Sequence, residues 1–179
     1  HQLGLRMLSL THARTNAAAS GGIFAAAGSP SDGLTAFGRQ LIAECDRLGI
    51  LLDLAHINAA GFEEICTLTN RPVIVSHTNV RRFYDVERNI SDDQIKMIGA
   101  RGGVVGINAI LVSANKKEAT LDRYIDHIEH VVKLAGIDLA TVDGIRGPAG
   151  SPGASKAGPE GIAFDPIADV AYVTLNGTN

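Results

Sequence analysis

The sequence predicts an α/β fold of about four βα units. Short, near-continuous apolar runs of the kind buried on both faces of a parallel sheet alternate with helix-period stretches. The connections between them are short, and the helical stretches carry recognisable start and stop residues. Four such units fit half of a (β/α)8 barrel or a small doubly wound sheet, and periodicity alone does not choose between them.

In chain order, Arg6-Met7-Leu8-Ser9-Leu10-Thr11 is the first strand candidate. Thr35 to Leu48 follows as a helix, with Phe37, Leu41, Ile42, Cys45 and Leu48 expected on one side and Gly49 ending it. Ile50-Leu51-Leu52-Asp53-Leu54 is the second strand. Asn58 to Leu68 is the second helix, with Asn58 as N-cap and Ala59, Phe62, Ile65, Cys66 and Leu68 grouped. Val73-Ile74-Val75-Ser76 is the third strand, and Ser91-Asp92-Asp93-Gln94 opens the third helix as a capping box. Gly103-Val104-Val105-Gly106-Ile107 is the fourth strand. The last helix runs from Thr120 to Ala135 through Leu121, Ile125, Ile128, Val131, Val132 and Leu134, and stops at Gly136.

Beyond Val142 the composition changes. Residues 1–142 read as the βα body, 143–158 as a Gly/Pro/Ser/Ala linker that cannot bury a core, and 159–179 as a β-hairpin. The tail is expected to pack poorly on the body.

Composition excludes several functions. Hydrophobic residues make up 45% of 179 and aromatics only 4%, so the core is aliphatic and the chain is not disordered. The net charge of −3 is interspersed, without a basic stripe, which argues against a nucleic-acid partner. No apolar run reaches membrane-spanning length, and the start lacks a signal pattern, which favours a cytoplasmic location. Self-association as a homo-oligomer is left open. Cys45 and Cys66, without CxxC spacing, read as reduced buried thiols.

Three strands end in histidine: Ser9-Leu10-Thr11-His12, LLDLAH at His56, and VIVSH at His77. His56 and His77 are separated by one helix, so a right-handed crossover makes their strands neighbours. Neighbouring strands lie about 4.8 Å apart, close enough for two imidazoles to reach one ion through bonds of roughly 2.0–2.1 Å. A lone strand-end histidine is more often a hydrogen-bonded loop residue; two in equivalent places bring a metal site level with that reading. Arg88, in the loop after the His77 strand, lies on the same rim, but in a charged run with Arg81, Arg82, Asp85 and Glu87 its spacing alone reads as a solvated loop arginine. His127 and His130, three apart on an outer helix, read as a polar face.

Together these segments resemble the renal (membrane) dipeptidase family. LGLRMLSLTHARTN, GLTAFGRQLIAECDRLGILLDLAH, RPVIVSHTNVR, ERNISDDQI, GGVVGIN and LDRYIDHIEHVVKLAGID follow in the family's order, from Leu3 to Asp138. The resemblance implies a partial (β/α)8 TIM-type barrel from a zinc metallopeptidase that hydrolyses dipeptides with two zinc ions. It assigns His56 and His77 to metal binding, and His12 and Arg88 to the dipeptide substrate. The family's His-x-Asp pair, bridging glutamate and Gly-Ser-Asp-Phe-Asp-Gly run have no counterpart in this sequence, so no catalytic residue is assigned and Asp143 is not given that role. Asn108 is followed by Ala109 and Ile110 where the family has aromatics. The tail PEGIAFDPIADVAYVTLNGTN looks similar to one YVTN-type β-propeller repeat. The expectation is a zinc-dependent dipeptidase by family with an incomplete site; the alternative is an inactive chain that serves as a weak metal-binding or interaction module.

Overall fold

The computed structural model describes residues 1–22 and 33–135, with the backbone of two further strands. The elements are β1 (Met7–Ser9), α1 (Ala36–Leu48), β2 (Leu51–Asp53), α2 (Ala59–Leu68), β3 (Val73–Thr78), α3 (Asp92–Gly99), β4 (Val104–Asn108), a 3-10 turn (Lys116–Glu118), α4 (Leu121–Leu134), β5 (Ile162–Asp165) and β6 (Val170–Thr174). The first four strands lie parallel in sequence order, β1-β2-β3-β4. Each is joined to the next through one helix, α1, α2 and α3 in turn, the βα repeat that the alternation predicts.

Local chemistry explains the boundaries. Thr35, Asn58, Ser91 and Thr120 each take the N-cap position and accept a backbone N–H from the first turn. Such a cap is worth about 1 kcal/mol. Ser91 and Gln94 complete a reciprocal capping box. Gly49 closes α1 at φ 72°, a left-handed conformation that costs glycine nothing. The core is aliphatic except for Phe62: Ile42, Ile65, Val73, Val75, Ile95, Ile98, Val105, Ile107, Val131 and Val132 are buried with it between sheet and helices.

Three expectations are corrected. Phe37 is 54% exposed, because Gly38 takes the core-facing position at the start of α1, its Cα pressed against the carbonyl of Ala18 where no Cβ fits. Leu68 and Leu121, at helix ends, are likewise exposed. The tail is not separate from the sheet: β5 and β6 form the expected antiparallel hairpin, but β6 also pairs antiparallel with β4, from Val104↔Thr174 to Asn108↔Val170. The β4 edge offers unpaired backbone groups that an alternating strand can satisfy. The linker 143–158 lies outside the described residues.

Candidate metal centre

His56 and His77 meet at the C-terminal rim of the parallel strands. Their Nε2 atoms face each other at 2.8 Å, with ring centroids 4.8 Å apart. His12 stacks on the other side of His56 at 4.2 Å. The structure therefore brings together the three histidines that end the first three strands.

His56 reaches this place by a strained turn. Its φ is 71°, one of two positive values outside glycine among the described residues; such conformations cost on the order of 1–3 kcal/mol and persist only where the surroundings impose them. Here they do. Asp53 Oδ1 accepts the Ala55 N–H at 3.0 Å, turning the chain as it leaves β2. The His56 carbonyl accepts the Gly22 N–H at 2.8 Å, and Asn58 N–H donates to the Ser20 carbonyl at 3.1 Å. The chain is clamped on both sides of the histidine.

His77 lies within β3, where the register against β4 shifts between Val75 and Thr78. Its Nδ1 is 2.8 Å from Ser76 Oγ, and Ser76 Oγ donates to Asp53 Oδ2 at 2.6 Å. Ser76 N–H also donates to Asp53 Oδ1 at 3.0 Å. Arg88 is buried and donates from Nη2 to the His77 carbonyl at 2.5 Å, while its own carbonyl accepts from Thr78 Oγ1 at 3.1 Å.

Burial, then the charges of Arg88, His77 and His12, push the His56 pKa down to about 4 against the opposing pull of Asp53. Burial and Arg88 also lower His77, again opposed by Asp53. Both imidazoles are therefore neutral near pH 7, the form that binds metals. Burial lowers the Arg88 pKa from its ordinary value, with Asp53 opposing, and it remains a cation.

This donor set fits half of a transition-metal site. Two neutral nitrogens converge, one ring is held from behind by a serine hydroxyl that is itself bonded to a carboxylate, and their separation is somewhat shorter than the roughly 3.3 Å implied by two tetrahedral bonds of roughly 2.0–2.1 Å. Among the described residues no cluster of three His, Cys, Asp or Glu side chains could hold an ion.

The helix pair behaves differently from its sequence reading. His127 is not on a polar face: it is fully buried. Its Nδ1 accepts the Val80 N–H at 2.9 Å and its Nε2 contacts the Val112 carbonyl at 2.9 Å. His130 Nε2 pairs with Asp92 at 2.8 Å. His127 belongs to the buried stripe of α4 with Ile128, Val131 and Val132, and two loop backbone groups satisfy its ring there. Sequence reasoning also passed over Asp53. Its signal was a carboxylate inside the apolar run LLDL, which a parallel strand tolerates only with several donors around it.

The profile of the membrane dipeptidase family, peptidase family M19, matches residues 1–150. The chain belongs to that family. An uncharacterized dipeptidase of Schizosaccharomyces pombe is 34% identical over 164 residues, covering 87% of this chain and 39% of the relative. The crystal structure of a metallopeptidase from Rhodobacter sphaeroides, liganded with a phosphinate mimic of the dipeptide L-Ala-D-Ala, matches with TM-score 0.68 and 35% identity over 76% of this chain and 41% of that one. An amidohydrolase from Pseudomonas aeruginosa matches with TM-score 0.64 and 31% identity over 75% and 40% of the two chains. The chain thus spans about two fifths of the length of the relatives it matches, 39% to 41%. Its four parallel strands and their helices are βα units of the family's TIM-type barrel. Among the described residues, no helix is long and apolar enough to cross a membrane.

Proposed function

We propose that this chain supplies one side of the zinc centre of a dipeptidase, with His56 and His77 holding a zinc ion and Arg88 and His12 facing the dipeptide. The observation that carries the reading is the convergence of two neutral Nε2 atoms at 2.8 Å on the rim of a parallel sheet. A zinc ion bound there supplies Lewis acidity to the peptide carbonyl and to the attacking water. The chain's own residues do the rest. Arg88, anchored to the His77 backbone, presents a fixed positive charge to an oxygen that gains negative charge in hydrolysis. His12, exposed and stacked on His56, lines the side open to substrate. The family membership and the phosphinate-bound relative support a dipeptide as the substrate.

A catalytic zinc takes three protein ligands and an open position, and only two converge among the described residues. That observation favours a second reading, in which the 179-residue chain alone is a weak metal-binding module. Zinc content after dialysis, followed by an assay with a simple dipeptide, separates the two. The expected result is zinc that binds with modest affinity, is lost on dialysis and gives negligible turnover, with binding abolished in His56→Ala and His77→Ala. Two retained zincs with turnover lost in either variant would mean that further residues complete the site. A chain that binds no zinc at all would overturn the proposal.

A further inference from the structure

We infer that Asp53 and Ser76 form a positioning relay that fixes the His77 ring with its proton on Nδ1 and its Nε2 lone pair facing the rim. The inference rests on the reading above that His77 is a metal ligand, and it follows from counting protons. Asp53 Oδ1 accepts two backbone N–H groups, from Ala55 and Ser76, each at 3.0 Å. Its second oxygen, Oδ2, accepts the Ser76 hydroxyl at 2.6 Å, the length of a charge-assisted O–H···O⁻ bond. A serine hydroxyl has one proton. Once that proton points at Asp53, Ser76 Oγ can only accept from its other neighbour, His77 Nδ1, 2.8 Å away. His77 Nδ1 must therefore carry the ring proton, which leaves Nε2 as the bare nitrogen.

Strand geometry shows that this contact is unusual. Successive side chains of a regular strand point to opposite faces, so Ser76 and His77 should not touch. They touch where the β3–β4 register shifts between Val75 and Thr78; bulges of this kind re-aim side chains beside functional sites. Asp53, at the end of the neighbouring strand, is 6% exposed and uses its acceptors on this one turn. The contrast with His56 sharpens the point. The single proton between the two rings, at 2.8 Å, must sit on His56 Nε2 if His77 Nε2 is bare. His56 Nδ1 is then a buried lone pair, and it has no partner. One ring is oriented for a ligand in advance; the other has to move its proton before it can bind one.

The test is the tautomer of each ring in the zinc-free full chain at pH 7.5, read from long-range proton–nitrogen NMR correlations. The relay predicts Nδ1–H for His77 and Nε2–H for His56. Ser76→Ala should spread the His77 proton over both nitrogens and weaken zinc binding about ten- to a hundredfold, while Ser76→Thr, which keeps the hydroxyl, should restore both. Asp53→Asn keeps one acceptor oxygen but replaces the other, which takes the Ser76 hydroxyl, with an NH2 donor; it also removes a buried charge and can fail to fold, so the Ser76 variants decide the question, with circular dichroism checking their fold. A wild-type His77 protonated on Nε2, or a Ser76→Ala chain with unchanged tautomer and unchanged zinc affinity, would overturn the relay. If the tautomers are as predicted and Ser76→Ala changes them, yet wild-type chain binds no zinc, the relay stands and the metal reading above falls.

Discussion

Two pairs of histidines in this chain meet opposite fates. His127 and His130, three apart on α4, have the spacing that puts two imidazoles on one helix face, yet their nitrogens are committed to the fold. His127 takes the Val80 N–H on Nδ1 and turns Nε2 to the Val112 carbonyl, and His130 pairs with Asp92. His56 and His77, 21 residues apart, turn their Nε2 atoms on each other, and His56 leaves Nδ1 buried and unpartnered on a backbone held at φ 71°. Buried polar groups in folded proteins are nearly always satisfied, so the pair that contains the unsatisfied, strained His56 is the one we propose for a ligand. Strand-end placement already preferred His56 and His77 in the sequence, where His127 and His130 read as a polar face.

The largest effect expected from this contrast is on stability at His127. His127→Ala removes a fully buried ring and leaves the Val80 N–H and the Val112 carbonyl without partners. A cost of roughly 3–5 kcal/mol follows from the cavity and the two orphaned groups, measurable as a lower urea midpoint. A loss below about 1 kcal/mol would show that the ring is not structural and would break the comparison.

Acid comes next. Burial, ahead of the Arg123 and His130 charges and against the Val112 hydrogen bond and Asp126, lowers the His127 pKa, and His56 and His77 are lowered too. A histidine whose folded pKa lies below its unfolded value of about 6.5 stabilises the fold above that pH and loses the contribution as the pH falls. Stability should therefore decline from about pH 6.5 toward the His56 pKa of about 4. In His127→Gln the decline over that window should be shallower, because one of the three groups no longer titrates. Urea midpoints at pH 7, 6 and 5 give the slopes, and equal slopes would contradict the assignment.

The rim pair should respond in the opposite sense. His56→Gly relieves the left-handed backbone and removes an unpartnered nitrogen, so the chain should gain roughly 1 kcal/mol while losing zinc binding. Stability and function trade off at such strained positions. A loss of stability in this variant would mean that the His56 ring contributes packing that its strained geometry conceals. The smallest change belongs to His130→Ala, which removes a partly buried pair with Asp92; it should cost about 1 kcal/mol and leave zinc binding unaltered.

Much of the βα body was legible because its signals are local. Thr35, Asn58, Ser91 and Gly49 act within one turn of their own position, and the apolar runs around Leu52, Val75 and Val105 need only a covering layer to become buried strands. The meeting of His12, His56 and His77 at one rim was legible for a related reason, since each ends a strand and parallel strands in sequence order bring their ends together. What escaped depends on contacts between segments. Phe37 is displaced from the core by the approach of Ala18 to Gly38, which helix periodicity cannot register. The part played by Asp53 requires the β2–β3 pairing and the irregularity beside His77. His127 looks like a polar intrusion into an apolar stripe until the two loops that satisfy it are in place. The pairing of β6 with β4 likewise depends on an open sheet edge that the VAYVT run does not reveal.

The central claim is that His56 and His77, and not the helix pair, accept a metal. Zinc titration of the full chain at pH 7.5, followed through the ring nitrogens of all six histidines, tests it most directly. The account predicts that the Nε2 signals of His56 and His77 shift together with one zinc per chain, that His56 moves its proton to Nδ1, and that His127 and His130 stay where they are. Zinc-dependent shifts at His127 or His130, or a His56–His77 pair that ignores saturating zinc, would contradict it.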